Sequence, residues 1–338
     1  MAESNSNYHR FTKANVFHHR RHNKEFQEYR RRWQVYPLDH IVGEFPIHLD
    51  IESTYRCNLK CPFCARTYTD WGQEPVIKDM DFNLYKKIID EGVENGLYAI
   101  KLSLRGEPLL HKRIVDMVAY AKERGIIDVY FNTNGSLLTE KLIYQMIGAG
   151  LDRISVSIDG IDKQYFENVR YPLKYDDIVN RIKNMQQIKR SEGVDYPQVR
   201  VQTVINDETM KDMDEYTEFW SEIADEVAGI DMRRESPEYS YKEVDADWCC
   251  PFLWQRMTIL CDGTILPCLL HGIDDSNRYS LGNAKDVDIK DAWNNRLIRM
   301  MRAVNKAELG HLIYPCSDCS YRSSELEKLG YDSWYIDR

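Results

Sequence analysis

Cys57-Asn58-Leu59-Lys60-Cys61-Pro62-Phe63-Cys64 places three thiols in one short run. Cysteine thiolates are the usual protein ligands of a four-iron cubane cluster. Three of them in a loop cap three irons and leave the fourth open to a chelating molecule with an amino and a carboxylate group. A zinc site would need a further protein ligand nearby to close its tetrahedron, and the residues that follow supply none in an obvious place. Outward from the loop, Ile47-His48-Leu49-Asp50-Ile51-Glu52 alternates apolar and polar strictly, as a strand with two unlike faces does. The cysteine loop begins just after it.

The composition bounds the answer. A chain of 338 residues with 43% hydrophobic content can bury a large core and more than one domain. Its nine cysteines come in clusters, which favours metal binding in a reducing compartment over a disulfide scaffold. With no long apolar run and no signal-peptide pattern, the expectation is a soluble cytoplasmic protein with no membrane partner. A net charge of −9 argues against a nucleic-acid partner. The charge is uneven: residues 1–33 carry +5 and the remainder −14. A helix over about Asn23–Trp33, with Phe26, Tyr29 and Trp33 at helical spacing, would pack its aromatic residues on the main body and leave its charges in water. The rival reading is a docking arm for an acidic partner.

From Pro46 to Glu235, short alternating strands are followed by longer amphipathic helices. Strands are expected at 47–52, 99–105, 128–134, 153–159, 199–206 and 228–235, with helices near 82–95, 111–124, 139–149, 175–192 and 209–225. Such alternation implies parallel pairing through right-handed crossovers. Parallel strands covered on both faces read as continuous apolar runs, and these do not. In a closed barrel the polar face must be the lumen, where charges need partners. A lumen of charge and hydroxyl suits a polar small-molecule substrate; the competing reading is a set of internal ion pairs.

A strand followed by Cys-x3-Cys-x2-Cys, with an aromatic residue before the last cysteine, resembles the radical SAM superfamily. The resemblance implies an α/β fold, a partial (β/α)6 barrel over residues 46–235 behind a basic N-terminal extension, residues 1–45. It implies a [4Fe-4S] cluster on Cys57, Cys61 and Cys64 that cleaves S-adenosyl-L-methionine (SAM) to a 5′-deoxyadenosyl radical. It also implies an electron donor such as flavodoxin or ferredoxin, and places Phe63 beside the adenine. Leu104-Arg105-Gly106-Glu107-Pro108 resembles the superfamily's Gly-Gly-Glu-Pro motif, which binds the methionyl amino group. Arg105 replaces the first glycine, so Gly106 and Glu107 are the matching pair. Asn134 closes the third strand. The resemblance assigns Ser157 to the SAM ribose and carboxylate region, Arg170 to the carboxylate, and Val204 and Asn206 to the adenine.

Beyond Glu235 the alternation stops and six cysteines appear: Cys249, Cys250, Cys261, Cys268, Cys316 and Cys319. Asp262-Gly263 between two apolar runs reads as a hairpin turn that would carry Cys268 toward Cys250. This segment resembles a twitch or SPASM auxiliary-cluster domain, which implies residues 236–338 as a small C-terminal domain. With no cysteine after Cys319, a single auxiliary [4Fe-4S] cluster on Cys250, Cys268, Cys316 and Cys319 fits best. Cys249 and Cys261 are then spare, and zinc on the same thiolates is the structural rival.

Two functions follow from different classes of substrate. One is alcohol dehydrogenation of a sugar or aminocyclitol, with Asp50, Glu52, Arg233 and Glu235 as candidate bases or substrate ligands. Epimerisation is its variant, with Cys261 as a hydrogen-atom donor. The other is peptide modification. A non-catalytic iron–sulfur protein is a third reading, disfavoured because a mere cluster holder needs no SAM pocket.

Overall fold

The computed structural model describes residues 8–11, 23–68, 76–232, 249–268, 279–314 and 316–319. Its strands are β1 (Tyr8–Arg10), β2 (His48–Ile51), β3 (Ala99–Lys101), β4 (Asp128–Thr133), β5 (Arg153–Ser157), β6 (Gln198–Ile205), β7 (Glu226–Asp231), β8 (Arg256–Ile259) and β9 (Ile265–Leu266). They form one sheet in the order β1-β7-β6-β5-β4-β3-β2-β8-β9. Strands β2 to β7 pair parallel in sequence order, as the alternation of strand and helix requires. These are the six strands expected from the sequence. A further parallel strand, β8, lies beside β2 and comes from the cysteine-rich C-terminal region. The expected hairpin is present: β8 and β9 are antiparallel, and Gly263 at its turn has φ +96°, which a side chain would resist.

Apolar residues of the strands, among them Leu49, Ile51, Ile100, Val129, Phe131, Ile154, Val156 and Val201, face outward into one core with the helices. The crossover helices are α3 (Phe82–Glu94), α4 (Ile114–Glu123), α5 (Glu140–Gly148), α6 (Lys163–Val169), α7 (Tyr175–Glu192), α8 (Asp207–Met210) and α9 (Met213–Ser221); α2 (Ala65–Tyr68) follows the cysteine loop. The single helix expected at 209–225 is two, α8 ending at Met210 and α9 starting at Met213, with the Asn206 side chain capping the first. In the C-terminal region two helices follow the hairpin, Ile289–Trp293 and Arg296–Lys306, with Asn295 capping the second.

The N-terminal extension does two jobs. Strand β1 pairs antiparallel with β7 and covers that edge of the sheet. Helix α1 (Lys24–Leu38), capped by the Asn23 side chain, buries Phe26, Tyr29 and Trp33 against Ile47 and Ala99. Those two residues stand at the N-terminal ends of β2 and β3, so α1 closes the lower mouth of the barrel. Its basic residues are partly spent on the helix itself: Glu28 pairs with both Arg31 and Arg32 at 2.7 Å. The packing reading therefore describes α1; Lys13, Arg20 and Arg21 of this arm fall outside the described residues.

The inward face is polar, and most of its charges are paired. Glu52 meets Arg105 at 2.6 Å, Asp128 meets Arg153 at 2.7 Å, Glu226 meets Arg200 at 2.8 Å, and Asp50 meets Arg256 at 3.5 Å. Internal pairing thus accounts for much of the charge that alternation placed in the lumen.

Candidate active site

The cysteine loop leaves the C-terminal end of β2 and is tied to the end of β3. The Ser53 hydroxyl donates to the Leu102 carbonyl at 2.9 Å, and the Glu107 N–H donates to the Arg56 carbonyl at 2.8 Å. Gly106 packs so closely here that an added Cβ would lie 2.1 Å from the Thr54 carbonyl oxygen. The need for glycine is thus an approach between two backbones of this chain. Asn134 reaches across from β4: its amide donates to Asn58 Oδ1 at 2.9 Å, and the Asn58 amide donates to Ser136 at 2.9 Å. Asn58 is a site residue that sequence reasoning passed over; its polarity inside the cysteine loop was the available signal.

Within the loop the Cys64 N–H donates to the Cys61 carbonyl at 3.1 Å, which turns the chain so that its thiols converge. Burial pushes the Cys61 thiol up to about 11, and the neighbouring Cys64 and Cys57 push in the same direction. Burial likewise raises Cys57, with Glu107 and Cys64 adding to it. Thiolates crowded like this stay ionised only if a cation joins them, and iron supplies that charge. The donor set therefore fits a cluster.

Glu107 is almost fully buried. Its carboxylate accepts from the Thr133 hydroxyl at 2.6 Å, the Asn134 N–H at 2.7 Å and the Leu109 N–H at 3.1 Å. Burial raises its carboxyl despite these donors, so a bound ammonium would relieve a real electrostatic cost. Arg170, 8% exposed, donates to Asp159 at 2.6 Å and lies 5.7 Å from the centre of the Phe63 ring. Burial works against its charge, but Asp159 and Cys61 hold it firmly protonated. Asp159 also accepts from the Val204 N–H at 2.9 Å, linking β5 to β6. Asp159, two residues after Ser157, is a site residue that sequence reasoning did not assign.

Other assigned residues stand differently. Ser157 is half-buried on the inward face, opposite Gln202 in register. Asn206 spends its side chain locally, accepting from the Glu208 and Thr209 N–H groups and donating to the Tyr165 hydroxyl at 2.9 Å. Of the four candidate bases or substrate ligands, Asp50 and Glu52 are buried and held by Arg256 and Arg105. Burial alone would raise Asp50, but Arg256 and His48 outweigh it and hold the carboxyl well below the usual range. Arg233 and Glu235 lie outside the described residues.

The second thiol group also assembles. Cys250 is pushed well up by burial and then by Cys316, Cys319 and Cys268, which places the four expected ligands in one neighbourhood. Cys249 is pushed up to about 12 by burial and then by Glu308. Cys261 is buried at the end of β8, its thiol donating to the Ile77 carbonyl at 3.2 Å and its N–H to Glu52 at 3.2 Å. Among the described residues no three His, Cys, Asp or Glu close on one point as a lone metal ion requires.

The chain belongs to the radical SAM superfamily, whose model matches residues 51–219, and it carries an iron–sulfur cluster-binding (SPASM) domain, matched over residues 249–320. Its cofactors are accordingly SAM with a SAM-binding [4Fe-4S] cluster, and auxiliary iron–sulfur. It is similar to the tungsten-containing aldehyde ferredoxin oxidoreductase cofactor-modifying protein of Pyrococcus furiosus, 24% identical over 82% of this chain and 88% of that one. A probable GTP 3′,8-cyclase of Methanococcus maripaludis is 36% identical, but over only 34% of this chain and 37% of its own length. Among solved structures, BtrN in complex with AdoMet and 2-DOIA matches with TM-score 0.53 and 17% identity, over 82% of this chain and 94% of that chain. Streptococcus suis SuiB matches with TM-score 0.58 and 16% identity, over 91% and 80% respectively. At these identities the structural likenesses establish the fold. No helix among the described residues is long and apolar enough to cross a membrane.

Proposed function

We propose that this radical SAM enzyme is an oxidoreductase that converts a carbinol carbon of a polyhydroxylated small molecule, a sugar or aminocyclitol, to a ketone. With both clusters bound, the substrate would lose a hydrogen atom to the SAM-derived radical, a proton to a base, and an electron to the auxiliary site. The observation that carries this reading is the inward face of the strands below the SAM residues. Tyr130, Asn132, Ser155 and Gln202 occupy it, and Tyr130 and Asn132 are only half-buried.

The chain's own residues supply position. Glu107, oriented by three donors, presents carboxylate to the SAM ammonium, with Gly106 beside it. Arg170, braced by Asp159, offers its charge to the SAM carboxylate, and Ser157 faces the ribose. Phe63, Val204 and the Asn206 region flank the adenine. Helix α1 shuts the lower mouth, which limits water around a reactive radical. Because Asp50 and Glu52 are committed to arginines, Glu235 becomes the preferred base, with Arg233 as a substrate ligand. A flavodoxin- or ferredoxin-type donor would supply the reducing electron. The segments 1–45, 46–235 and 236–338 serve as extension, barrel and auxiliary-cluster domain, the last lending β8 to the barrel sheet.

Peptide modification is the second reading, favoured by the likeness to SuiB and to an anSMEcpe structure bound to a peptide, which covers 77% of this chain. Substrate deuterated at the reactive carbinol should deliver its label to 5′-deoxyadenosine and yield a ketone. Label transfer with an inverted, unoxidised product would mean epimerisation. Turnover of peptide with no sugar or cyclitol accepted would replace the proposal with the second reading.

A further inference from the structure

The chain is acidic, with a net charge of −9, and several of its exposed cations stand beside carboxylates. Arg113 meets Asp116, Arg124 meets Asp90, Lys163 meets Asp176 and Lys211 meets Glu208, all at 2.6–2.8 Å. The helix Arg296–Lys306 is different: it carries four cations and no acidic residue. Ile298, Met301, Arg302 and Asn305 face inward, where Arg302 donates to the Leu253 and Trp293 carbonyls at 2.8 and 2.9 Å. Arg296, Arg299, Met300 and Lys306 are exposed on the opposite side, at the spacing of one helix face. Among the described residues Arg296, Arg299 and Lys306 make no ion pair.

The same helix touches the second thiol group. From its inward side the Asn305 amide lies 3.9 Å from Cys316 Sγ. A short 3-10 segment, Leu309–Leu312, follows the helix and packs on it, and the chain then reaches Cys316 and Cys319. Met300, Leu309 and Leu312 are 48%, 43% and 65% exposed, so apolar side chains accompany the cations. One face of this helix thus meets a cluster ligand while the other offers unpaired positive charge with apolar contact area. Such a surface steers an acidic protein toward it and then holds it.

We propose that this face docks an acidic one-electron carrier protein, of the flavodoxin or ferredoxin type, which empties the auxiliary cluster. In the reaction above each turnover leaves one electron at that site, and the next can be accepted only once it has gone. The reduced cluster gives one electron to the oxidised carrier and returns to its starting state; on a flavin carrier one solvent proton joins the electron. The inference rests on the electron-accepting role given to the auxiliary site above, and not on the substrate class.

The test uses the reconstituted holoenzyme without substrate, so a failed substrate class would not move it. The probes are an oxidised flavodoxin and an oxidised ferredoxin, each of strongly negative net charge. Wild type should bind at least one of them, less tightly as salt rises. Arg296→Glu, Arg299→Glu and Lys306→Glu should each weaken binding about threefold to tenfold at low salt, and the difference should shrink toward nothing by about 1 M salt. Lys183→Glu makes the same charge change at an exposed position of α7 and should bind as wild type does. Iron content, melting temperature and dithionite-driven 5′-deoxyadenosine formation should stay at the wild-type level in all four variants. Electron transfer is read in protein with Cys57, Cys61 and Cys64 replaced by alanine, reduced and then freed of reductant. It should reduce the flavodoxin, followed by flavin absorbance, and do so about tenfold more slowly with Arg296 and Arg299 both reversed. Wild type that binds neither carrier, reversals that bind as tightly as wild type, or an equal loss in Lys183→Glu would each overturn the proposal. Flavodoxin reduction at the same rate with and without the two arginines would overturn it as well. So would binding of a short duplex DNA in place of both carriers, which would make the basic face a nucleic-acid surface.

Discussion

Gly106 and Thr54 touch backbone to backbone: a Cβ on the glycine would stand 2.1 Å from the threonine carbonyl oxygen and 2.7 Å from that of Arg56. The turn that carries Glu107 is thereby seated on the strand exit that launches the cysteine loop. The turn proposed to hold the SAM ammonium and the loop proposed to hold iron are thus built as one unit.

Gly106→Ala should therefore damage both together. Rigid backbone on the other side leaves nowhere for the methyl to go, and overpacking of this kind costs about 1–3 kcal/mol. Denaturant titration should show that loss, and 5′-deoxyadenosine formation should fall at least tenfold. An alanine variant with normal stability and normal SAM cleavage would show that the contact is not needed.

Glu52 joins three parts of the chain. It accepts from Arg105 Nε and Nη2 at 2.6 Å each and from the Cys261 N–H at 3.2 Å, with no exposure to solvent. Glu52→Gln leaves the Arg105 cation buried without its counter-ion, a loss of about 3–5 kcal/mol. Thermal unfolding should register it even in protein prepared without iron, which separates a structural ion from a catalytic base.

Asp50 makes the pH dependence explicit. Its folded carboxyl is held below the ordinary value of 3.8 because Arg256 and His48 outweigh the effect of burial. A lowered folded pKa contributes stability that is fully present above the unfolded value and is lost as pH falls through the folded one. Urea unfolding of the iron-free protein should thus show the wild type losing stability below about pH 4, relative to Asp50→Asn. Parallel curves for the two proteins down to pH 2 would contradict this.

Much of the barrel and both thiol groups were legible in the sequence, because period and spacing are local. Strict alternation from Ile47 to Glu52 marked an inward polar face, and Asp262-Gly263 marked the hairpin. The strand pairing of β8 with β2 was not legible, since nothing local tells a hairpin strand which distant neighbour it will join. The same holds for partners. That Asp50 and Glu52 pair with Arg256 and Arg105 was not legible, because those partners come from distant parts of the chain. The capping of α8 by Asn206 was legible in principle, since an Asn before Asp207-Glu208-Thr209 is well placed to cap a helix.

Trp33 tests the plug. It is 6% exposed and packs against His48 and Arg256 at the closed end of the barrel. Trp33→Ala should cost about 3–5 kcal/mol. It should also open the lumen to water, so that less ketone forms per SAM cleaved. Full coupling in a destabilised variant would limit α1 to a packing role.

The central claim is that two separate thiolate sets hold two clusters and that only the first cleaves SAM. It is tested most directly by replacing Cys57, Cys61 and Cys64 with alanine and reconstituting the protein anaerobically. The variant should retain about four irons per chain on Cys250, Cys268, Cys316 and Cys319, and should form no 5′-deoxyadenosine from SAM and dithionite. Undiminished SAM cleavage by that variant, or a zinc-loaded protein free of iron, would contradict the account.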